Sequence, residues 1–167
     1  VQGPVYNCFY SSIRNNGCEM VSNSLMYNKE TLRYEMDFED LDRKLSHERA
    51  RIMLLCNPHN PGGRVWSREE LTHVAELCKK HGVRVVSDEI HCELTLHGNE
   101  YTPFGSLPDE LSFGSITCCS PSKAFNIAGL QIANIVCRDA AVRERVDRAI
   151  NINEVCDVNP FGVEALM

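Results

Sequence analysis

The sequence lacks several features that would place it at a membrane or on a nucleic acid. No apolar run approaches the roughly 20 residues that a helix needs to cross a bilayer, and no signal peptide opens the chain. Lys and Arg number 17 against 23 Asp and Glu, a net charge of -6. No basic stripe is available for phosphates. We therefore expect a cytoplasmic protein with no membrane and no nucleic-acid partner.

The spacings typical of metal sites and disulfide scaffolds are also missing. The chain has nine cysteines, but no CxxC pair. Four cysteines lie in apolar, strand-like runs, which favours small buried side chains in a reducing compartment: Cys56, Cys118, Cys119 and Cys137. The six histidines show no HxxxH or HExxH spacing, so a metal site is the minor alternative.

What is present fits one globular domain. The chain has 167 residues, of which 43% are hydrophobic and 24% charged. Its first three residues resemble the end of a strand, and "NPFGVEALM" at its end resembles the start of a helix. We therefore expect the sequence to be an excerpt of a longer protein.

The clearest unit is a strand, a helix and a second strand. "RIMLLC" is a short apolar run followed by the turn-rich "NPHNPGG". Ser67 and Glu70 form a capping-box pattern, and Gly82 ends the helix that follows. "VRVVSDE" then resembles a buried strand. This order predicts two parallel strands with a right-handed crossover.

The remaining segments complete an α/β pattern. We predict a helix over about residues 4–15, a strand in "CEMVSNSLMY", a helix capped by Asp37 and a helical turn near residues 107–111. "SITCCS" and "LQIANIVC" predict two further buried strands. A last helix follows Asp139, with an inner face of Val142, Val146, Ala149 and Ile150. The expected fold is three-layer α/β, a mostly parallel sheet flanked by helices.

Polar residues follow three of these strands. Ligands of open α/β sheets bind beyond the carboxyl ends of the strands, so an amide, a carboxylate and an amine are expected to converge there. The residues are Asn57 and Asn60 after the first strand, Asp88, Glu89 and His91 after the second, and Ser120, Ser122 and Lys123 after the third.

Each of these residues also has an ordinary structural interpretation. Asn60 precedes a proline and suits a turn. Asp88 can cap the next turn, and His91 can be a core or rim histidine. The two serines can be turn or cap residues, and Lys123 can form an ion pair with Asp88. Taken together, the set is harder to explain as coincidence than any one member.

Three motifs in this order resemble a known family. "NPHNPGGRVW", "SDEIH" and "SPSKAFNIAGLQ" are similar to motifs of the pyridoxal-phosphate enzymes of fold type I, the aminotransferase class I/II fold. "PVYNCFYSSI" near the start resembles the bacterial carbon-sulfur lyases, the cystathionine β-lyase and cystalysin group. The resemblance covers essentially the whole chain.

The resemblance implies a cofactor, pyridoxal 5'-phosphate, and a role for each polar residue. It implies that Lys123 forms the Schiff base with the cofactor aldehyde and later acts as base at the substrate Cα, which needs a lysine pKa lowered by burial beside a cationic cofactor. Asp88 faces the pyridine nitrogen. Asn60 donates to the ring's phenolate oxygen, and His91 lies near that oxygen.

Further cofactor contacts are implied by the same resemblance. Tyr6 stacks on the ring face, and the hydroxyls of Ser120 and Ser122 help hold the phosphate, with no choice made between them. Gln131 stands where many aminotransferases carry an arginine, which favours the lyase group. Gly3 replaces a common threonine. Arg64 is expected to be structural.

The family comparison also implies what lies outside this sequence. We expect residues 1–167 to be part of the large cofactor domain, without the amino-terminal phosphate loop or the carboxyl-terminal small domain that carries the arginine for the substrate carboxylate. A homodimer with sites at the subunit interface is implied. The chain alone is expected to be inactive.

The predicted function is a carbon-sulfur β-lyase that cleaves cystathionine or cysteine-type substrates to thiol, pyruvate and ammonia. An aminotransferase is the nearest alternative, because it would use the same residues. A non-catalytic cofactor-binding fragment or regulatory protein is the alternative of another class.

Overall fold

A computed structural model describes residues 1–155 and 157–167 and confirms the α/β class. The strands are β1 (Gln2–Gly3), β2 (Asn23–Ser24), β3 (Met26–Asn28), β4 (Arg33–Glu35), β5 (Ile52–Cys56), β6 (Arg84–Asp88), β7 (Ile116–Cys119) and β8 (Asn134–Val136). The helices are α1 (Asn7–Asn15), α2 (Phe38–Leu45), α3 (Arg68–Lys80), α4 (Asp109–Ser112), α5 (Ala140–Ile152) and α6 (Pro160–Leu166). Two 3-10 turns lie at Phe104–Ser106 and Ala128–Leu130.

The main sheet has the order β5-β6-β7-β8. β5, β6 and β7 are parallel, and β8 runs antiparallel to β7. The expected mostly parallel sheet is therefore confirmed. Cys56 pairs with Asp88, and Asp88 pairs with Cys118, so three strands end side by side at one edge.

Helices cover both faces of this sheet, as expected for three layers. Alternating residues of a strand point to opposite faces. Met53 and Leu55 of β5 join the large core beneath α2 and α3. Cys56 instead packs with Val5 and Phe9, which bring α1 onto the other face.

The predicted unit around α3 is confirmed in detail. The Glu70 amide donates to Ser67 Oγ at 3.2 Å, and the Ser67 amide donates to the Glu70 carboxylate at 2.7 Å. This capping box starts the helix, whose apolar stripe is buried: Leu71, Val74, Ala75, Leu77 and Cys78. The predicted caps of α2 and α5 are also present, at Asp37 and Asp139.

The prediction for the amino-terminal segment was wrong in two respects, the residue at which the helix begins and the number of strands that follow it. The helix begins at Asn7 rather than residue 4, because the amide of Val5 donates to the Tyr10 hydroxyl at 3.3 Å and the segment before it pairs as β1. The single predicted strand is two. β2 pairs with β1, whereas β3 forms a hairpin with β4.

Two predictions of burial were also wrong. β7 is only half-buried, and β8 has Ile135 and Val136 exposed because it has a strand neighbour on one side only among the described residues. In α5 only Val142 of the predicted inner face is buried, because little of the described chain packs against that helix.

The cysteines partly follow the prediction. Each of the eight in the described residues is free; Cys56 and Cys137 are buried, and Cys118 and Cys119 are half-buried like the rest of β7. Within the same residues no three His, Cys, Asp or Glu side chains are grouped so as to hold a metal ion. None of the described helices is long and apolar enough to span a membrane.

We predict that Leu71→Ala will destabilise the protein strongly. Leu71 is fully buried between α3 and the sheet, so truncation leaves a cavity and should lower the free energy of unfolding by about 2–5 kcal/mol. Urea unfolding of the protein in its longest natural form measures this. Leu32→Ala, at a hairpin residue that is 72% exposed, is the matched control and should cost under about 0.5 kcal/mol. Equal effects of the two changes would contradict the proposed core.

Candidate functional site

At the end of β6, two neighbouring carboxylates lie on opposite faces of the sheet, because side chains alternate along a strand. Ser87 and Glu89 are buried, whereas Asp88 between them is half-buried. Because paired residues of parallel strands share a face, Asp88 lies on the face of Cys56, which is the α1 side of the sheet. The two acidic neighbours therefore serve different surroundings.

Asp88 is held in a partly desolvated position. Its backbone carbonyl accepts a hydrogen bond from the Asn57 amide at 2.9 Å, and its Oδ1 accepts one from the Ile90 amide at 3.2 Å. Burial raises the pKa of this carboxyl above its ordinary value, against the opposing effects of the Ile90 hydrogen bond and of His91. A nearby cation would therefore stabilise the charged form.

His91 lies within electrostatic range of both Asp88 and Lys123. Burial lowers the pKa of its imidazole, the Asp88 charge opposes this, and the Lys123 charge adds to it. His91 also lines a cavity of about 270 Å³ between the turn that follows β5 and the loop of residues 91–99. His91 therefore lies near the strand ends and also borders this cavity.

Lys123 follows β7 in a turn that two serines organise. Ser120 Oγ donates to the Ile132 carbonyl at 2.5 Å, and the Ser122 amide donates to Ser120 Oγ at 3.1 Å. The hydroxyls of the two serines are 2.8 Å apart. The turn and cap interpretation of these serines is therefore correct, and it leaves room for a second role.

The expectation that Lys123 is buried is not met in this chain. Its side chain is exposed, although Ser122 and Ala124 on either side of it are half-buried. It makes no ion pair with Asp88, so that structural alternative is wrong. The amine is free of any described hydrogen-bond partner.

Asn60 lies in the tight turn that follows β5. The His59 amide donates to the Arg64 carbonyl at 2.7 Å, the Gly63 amide donates to the His59 carbonyl at 2.9 Å, and the two bonds close the turn. The Asn60 amide contacts Cys56 Sγ at 3.4 Å. Its half-buried side chain makes no hydrogen bond to the described residues. Asn60 is a turn residue, as expected, with its carboxamide unused.

Tyr6 reaches the same edge from a different part of the chain. Val5 and Phe9 on either side of it pack against Cys56 at the end of β5, while its ring is 47% exposed. The pKa of its phenol is raised, first by a hydrogen bond with Cys8 and also by the charge of Asp88. The ring therefore lies within electrostatic range of the β6 carboxylate.

The structure thus confirms the predicted convergence of polar groups. Residues that follow β5, β6 and β7 meet at one sheet edge, and the segment before α1 joins them. An amide, a carboxylate, an imidazole and an amine are brought there, beside an exposed aromatic ring. Of these, only the amine is more exposed than expected.

Comparison with known proteins identifies the family of this chain. The family model for aminotransferase class I and II matches residues 1–158. The chain belongs to this family. It is 46% identical over 166 residues to cystathionine beta-lyase PatB of Bacillus subtilis, covering 99% of this chain and 42% of that protein. It is 33% identical over 144 residues to protein MalY of Escherichia coli, covering 86% of this chain and 36% of MalY.

Solved structures of the family share the fold. Cystalysin of Treponema denticola, described as containing a pyridoxal 5'-phosphate cofactor, matches with a TM-score of 0.94 and 32% identity over 98% of this chain and 41% of that one. The PLP-bound C-S lyase of Staphylococcus hominis matches with a TM-score of 0.83 and 34% identity, over 97% and 40%. The chain spans about two fifths of the length of these family members.

Asn57 and Glu89 were expected among the converging polar groups, but they are buried and instead support the segments around the site. Buried Glu89 accepts hydrogen bonds from Ser87 Oγ at 2.7 Å, from the Phe104 amide at 2.9 Å and from the Tyr101 hydroxyl. Asn57 Nδ2 donates to the Thr102 carbonyl at 3.0 Å. Both side chains fasten residues 101–104 to the sheet. Period-2 alternation from Val85 places Glu89 on the buried face and could have indicated its role.

Arg64 has the structural role that was expected. Its guanidinium donates to both Glu70 carboxylate oxygens, at 2.8 and 2.9 Å, and to the Tyr34 carbonyl. It also lies 4.6 Å from the centre of the Trp66 ring. These contacts occupy the side chain and join the turn after β5 to helix α3.

We predict that Asp88→Asn will stabilise the ligand-free protein at neutral pH. Because the folded-state pKa of Asp88 is raised, the carboxyl stabilises the fold while it is protonated, and this is lost as pH rises through that pKa. Asparagine keeps a similar shape without charge. The melting temperature of the variant should exceed that of the native protein at pH 7, and the gap should shrink at pH 4.

The exposed residue Asp147 supplies the control for this measurement. Asp147→Asn should leave the melting temperature nearly unchanged at both pH values. Two results would contradict the assignment of Asp88 as a carboxylate that lacks its cation. One is a native protein more stable than Asp88→Asn at pH 7, and the other is a difference in melting temperature that is the same at both pH values.

Proposed function

We propose that this chain carries the cofactor-binding part of a pyridoxal-phosphate-dependent carbon-sulfur β-lyase. Its substrates would be sulfur amino acids such as cystathionine or cysteine. The observation that carries the proposal is the convergence of Asn60, Asp88 and Lys123 beyond three parallel strands. The relatives named cystathionine beta-lyase and C-S lyase support the choice of reaction.

The residues present fit the ring of this cofactor. Pyridoxal phosphate, when bound, supplies a cationic pyridine ring that accepts the electron pair released at the substrate Cα. A carboxylate that lacks a cationic partner suits the ring nitrogen, and Asp88 is one. An unused amide suits the phenolate oxygen, and Asn60 offers one, with His91 beside it. Tyr6 offers a flat ring for stacking.

The phosphate contact falls more naturally to Ser122 than to Ser120. Ser120 Oγ donates its single proton to the Ile132 carbonyl and is also an acceptor for the Ser122 amide. Ser122 can rotate its own hydroxyl away from Ser120 Oγ, 2.8 Å from it, toward a phosphate oxygen, and those two bonds stay in place. In this proposal Ser120 shapes the turn, and Ser122 binds the anion.

Lys123 carries the chemical steps assigned to this chain. Its amine would hold the bound cofactor covalently and would be released by the substrate amine. The freed, neutral amine would then remove the proton from the substrate Cα. The Cβ–S bond would break with its electron pair on sulfur, which takes up a proton to give the thiol, and water would convert the remaining three-carbon enamine to pyruvate and ammonia.

Gln131 and the similarity to proteins named as lyases favour a lyase over an aminotransferase. Gln131 stands where many aminotransferases carry an arginine. Transamination is the second candidate, supported by the family match and by 38% identity over 100 residues to the putative aminotransferase YugH of Bacillus subtilis. It would use the same four ring contacts but return the proton to the cofactor instead of expelling a thiol.

The domain, the cellular location and the oligomeric state are proposed from the same family resemblance. We place residues 1–167 in the large cofactor domain of a cytoplasmic homodimer. Exposed apolar side chains on α6, among them Phe161 at 74%, are consistent with a surface that other parts of such an assembly cover.

We predict that Lys123→Ala will abolish the visible absorbance of bound cofactor in the protein in its longest natural form. The variant lacks the amine that forms the carbon-nitrogen double bond, so the band should disappear and turnover should fall by at least about 10³-fold. Lys79→Ala, which removes an exposed lysine at the end of α3, is the control and should retain both. A band that survives in Lys123→Ala would contradict the proposal.

Product analysis separates the two reactions and the non-catalytic alternative. With cystathionine, the lyase gives thiol and pyruvate without any keto-acid acceptor. An aminotransferase requires the acceptor and releases no thiol. Firm cofactor binding with neither product would support a regulatory or inert protein and would contradict catalysis.

A further inference from the structure

His59 is a buried histidine beside the site that the proposed chemistry does not use. Its side chain is 3% exposed. Its Nε2 lies 3.2 Å from the Gln2 carbonyl oxygen, and its Nδ1 lies 3.3 Å from the Gly62 amide. Both ring nitrogens therefore have backbone partners, one from each of two distant segments of the chain.

The partners determine the protonation state of this imidazole. A carbonyl oxygen can only accept, so Nε2 carries the proton and donates it to Gln2. A backbone amide can only donate, so Nδ1 is bare and accepts from Gly62. Burial lowers the pKa of His59, the hydrogen bond to Gln2 opposes this, and Arg64 adds to the lowering. The ring is a neutral bridge in a single tautomer.

The His59 bridge joins the segment that carries Tyr6 to the segment that carries Asn60. These two residues are the proposed contacts to the face and to the phenolate oxygen of the cofactor ring. Gln2 lies in β1, four residues before Tyr6, and His59 immediately precedes Asn60. β1 lies beside β5 without pairing with it, so no strand ladder fixes the distance between them. The His59 imidazole supplies a hydrogen bond across that gap.

We propose that His59 is a positioning residue that holds the Asn60 carboxamide and the Tyr6 ring at a fixed separation. The inference rests on the proposed function, because Asn60 and Tyr6 matter as contacts to a bound ring. In this proposal His59 contacts neither the cofactor nor the substrate. It acts through the turn and through β1.

Packing leaves the imidazole little freedom. A Cβ added to Gly62 would lie 2.8 Å from Nδ1, so only glycine lets the turn approach the ring this closely. The Trp66 ring meets His59 edge to face, with centroids 5.6 Å apart, and Trp66 Nε1 donates to the Cys56 carbonyl at 2.9 Å. Rotation of His59 is blocked on both sides.

The test measures the pH titration of the visible cofactor band in the protein in its longest natural form. An amide that donates to the phenolate oxygen draws charge from it and weakens its hold on the proton shared with the lysine-cofactor nitrogen. Asn60→Ala should therefore raise the titration midpoint, by about 0.5 to 1 pH unit for one ordinary hydrogen bond. We expect His59→Leu to raise it in the same direction.

The double variant shows whether the two residues act through one contact. If His59 acts through Asn60, His59→Leu in an Asn60→Ala background should move the midpoint little further. Additive shifts, or an unmoved midpoint in folded, cofactor-loaded His59→Leu, would overturn the inference. His73→Leu, at an exposed histidine that stacks on Phe38, is the control and should titrate as the native protein does.

Two conservative variants keep the test valid if His59→Leu does not fold. His59→Asn can retain the acceptor for Gly62 but cannot reach Gln2, whereas His59→Gln can reach Gln2 but loses the Nδ1 acceptor. Each should give a shift smaller than that of Asn60→Ala. Native behaviour in both would overturn the bridge. Failure of the proposed function is distinct, because the native protein would then show no lysine-dependent band to titrate.

Discussion

The parallel register of β5, β6 and β7 is the constraint on which the rest of the structure depends. Because Cys56, Asp88 and Cys118 pair in one row, the three strands end together and their following residues meet at one edge. Alternation along β6 then turns Asp88 toward α1 and Glu89 toward the opposite layer. A shift of one residue would exchange these two carboxylates, placing the hydrogen-bonded Glu89 at the site edge and the carboxylate proposed to contact the cofactor in the core.

The groups at this edge are held in place by hydrogen bonds from neighbouring residues. Glu89 and Asn57 fasten residues 101–104, the paired serines shape the lysine turn, and His59 ties the asparagine turn to β1. These supports are mostly hydrogen bonds from buried side chains to backbone groups, which would be costly to leave unpaired. In the described part of the chain, the Asn60 carboxamide and the Lys123 amine make no side-chain hydrogen bond, and both are proposed to contact the cofactor. The structure therefore combines a rigid frame with unsatisfied functional groups, the arrangement expected of a preorganised site.

Most features whose signals lie within a few residues of the chain were predicted correctly from the sequence. The Ser67–Glu70 capping box, the cap at Asp139 and the strand-helix-strand unit around α3 were all correct, because their signals lie within a few residues. The convergence of Asn60, Asp88 and Lys123 was also predictable, since parallel strands share an edge. The exposure of β8 and of α5 was not, because burial depends on which partners pack there. The bridge from His59 to Gln2 spans 57 residues and leaves no local trace.

Reductive trapping tests the central claim, that Lys123 is the covalent attachment point of the cofactor. Borohydride reduces a carbon-nitrogen double bond to a stable amine, so the protein loaded with pyridoxal phosphate can be reduced, digested and mapped by mass spectrometry. The account predicts one phosphopyridoxyl group, on the peptide that contains "SPSKAFNIAGL". A label on Lys29, Lys44, Lys79, Lys80 or any other lysine in place of Lys123, or no label on a protein with bound cofactor, would contradict it.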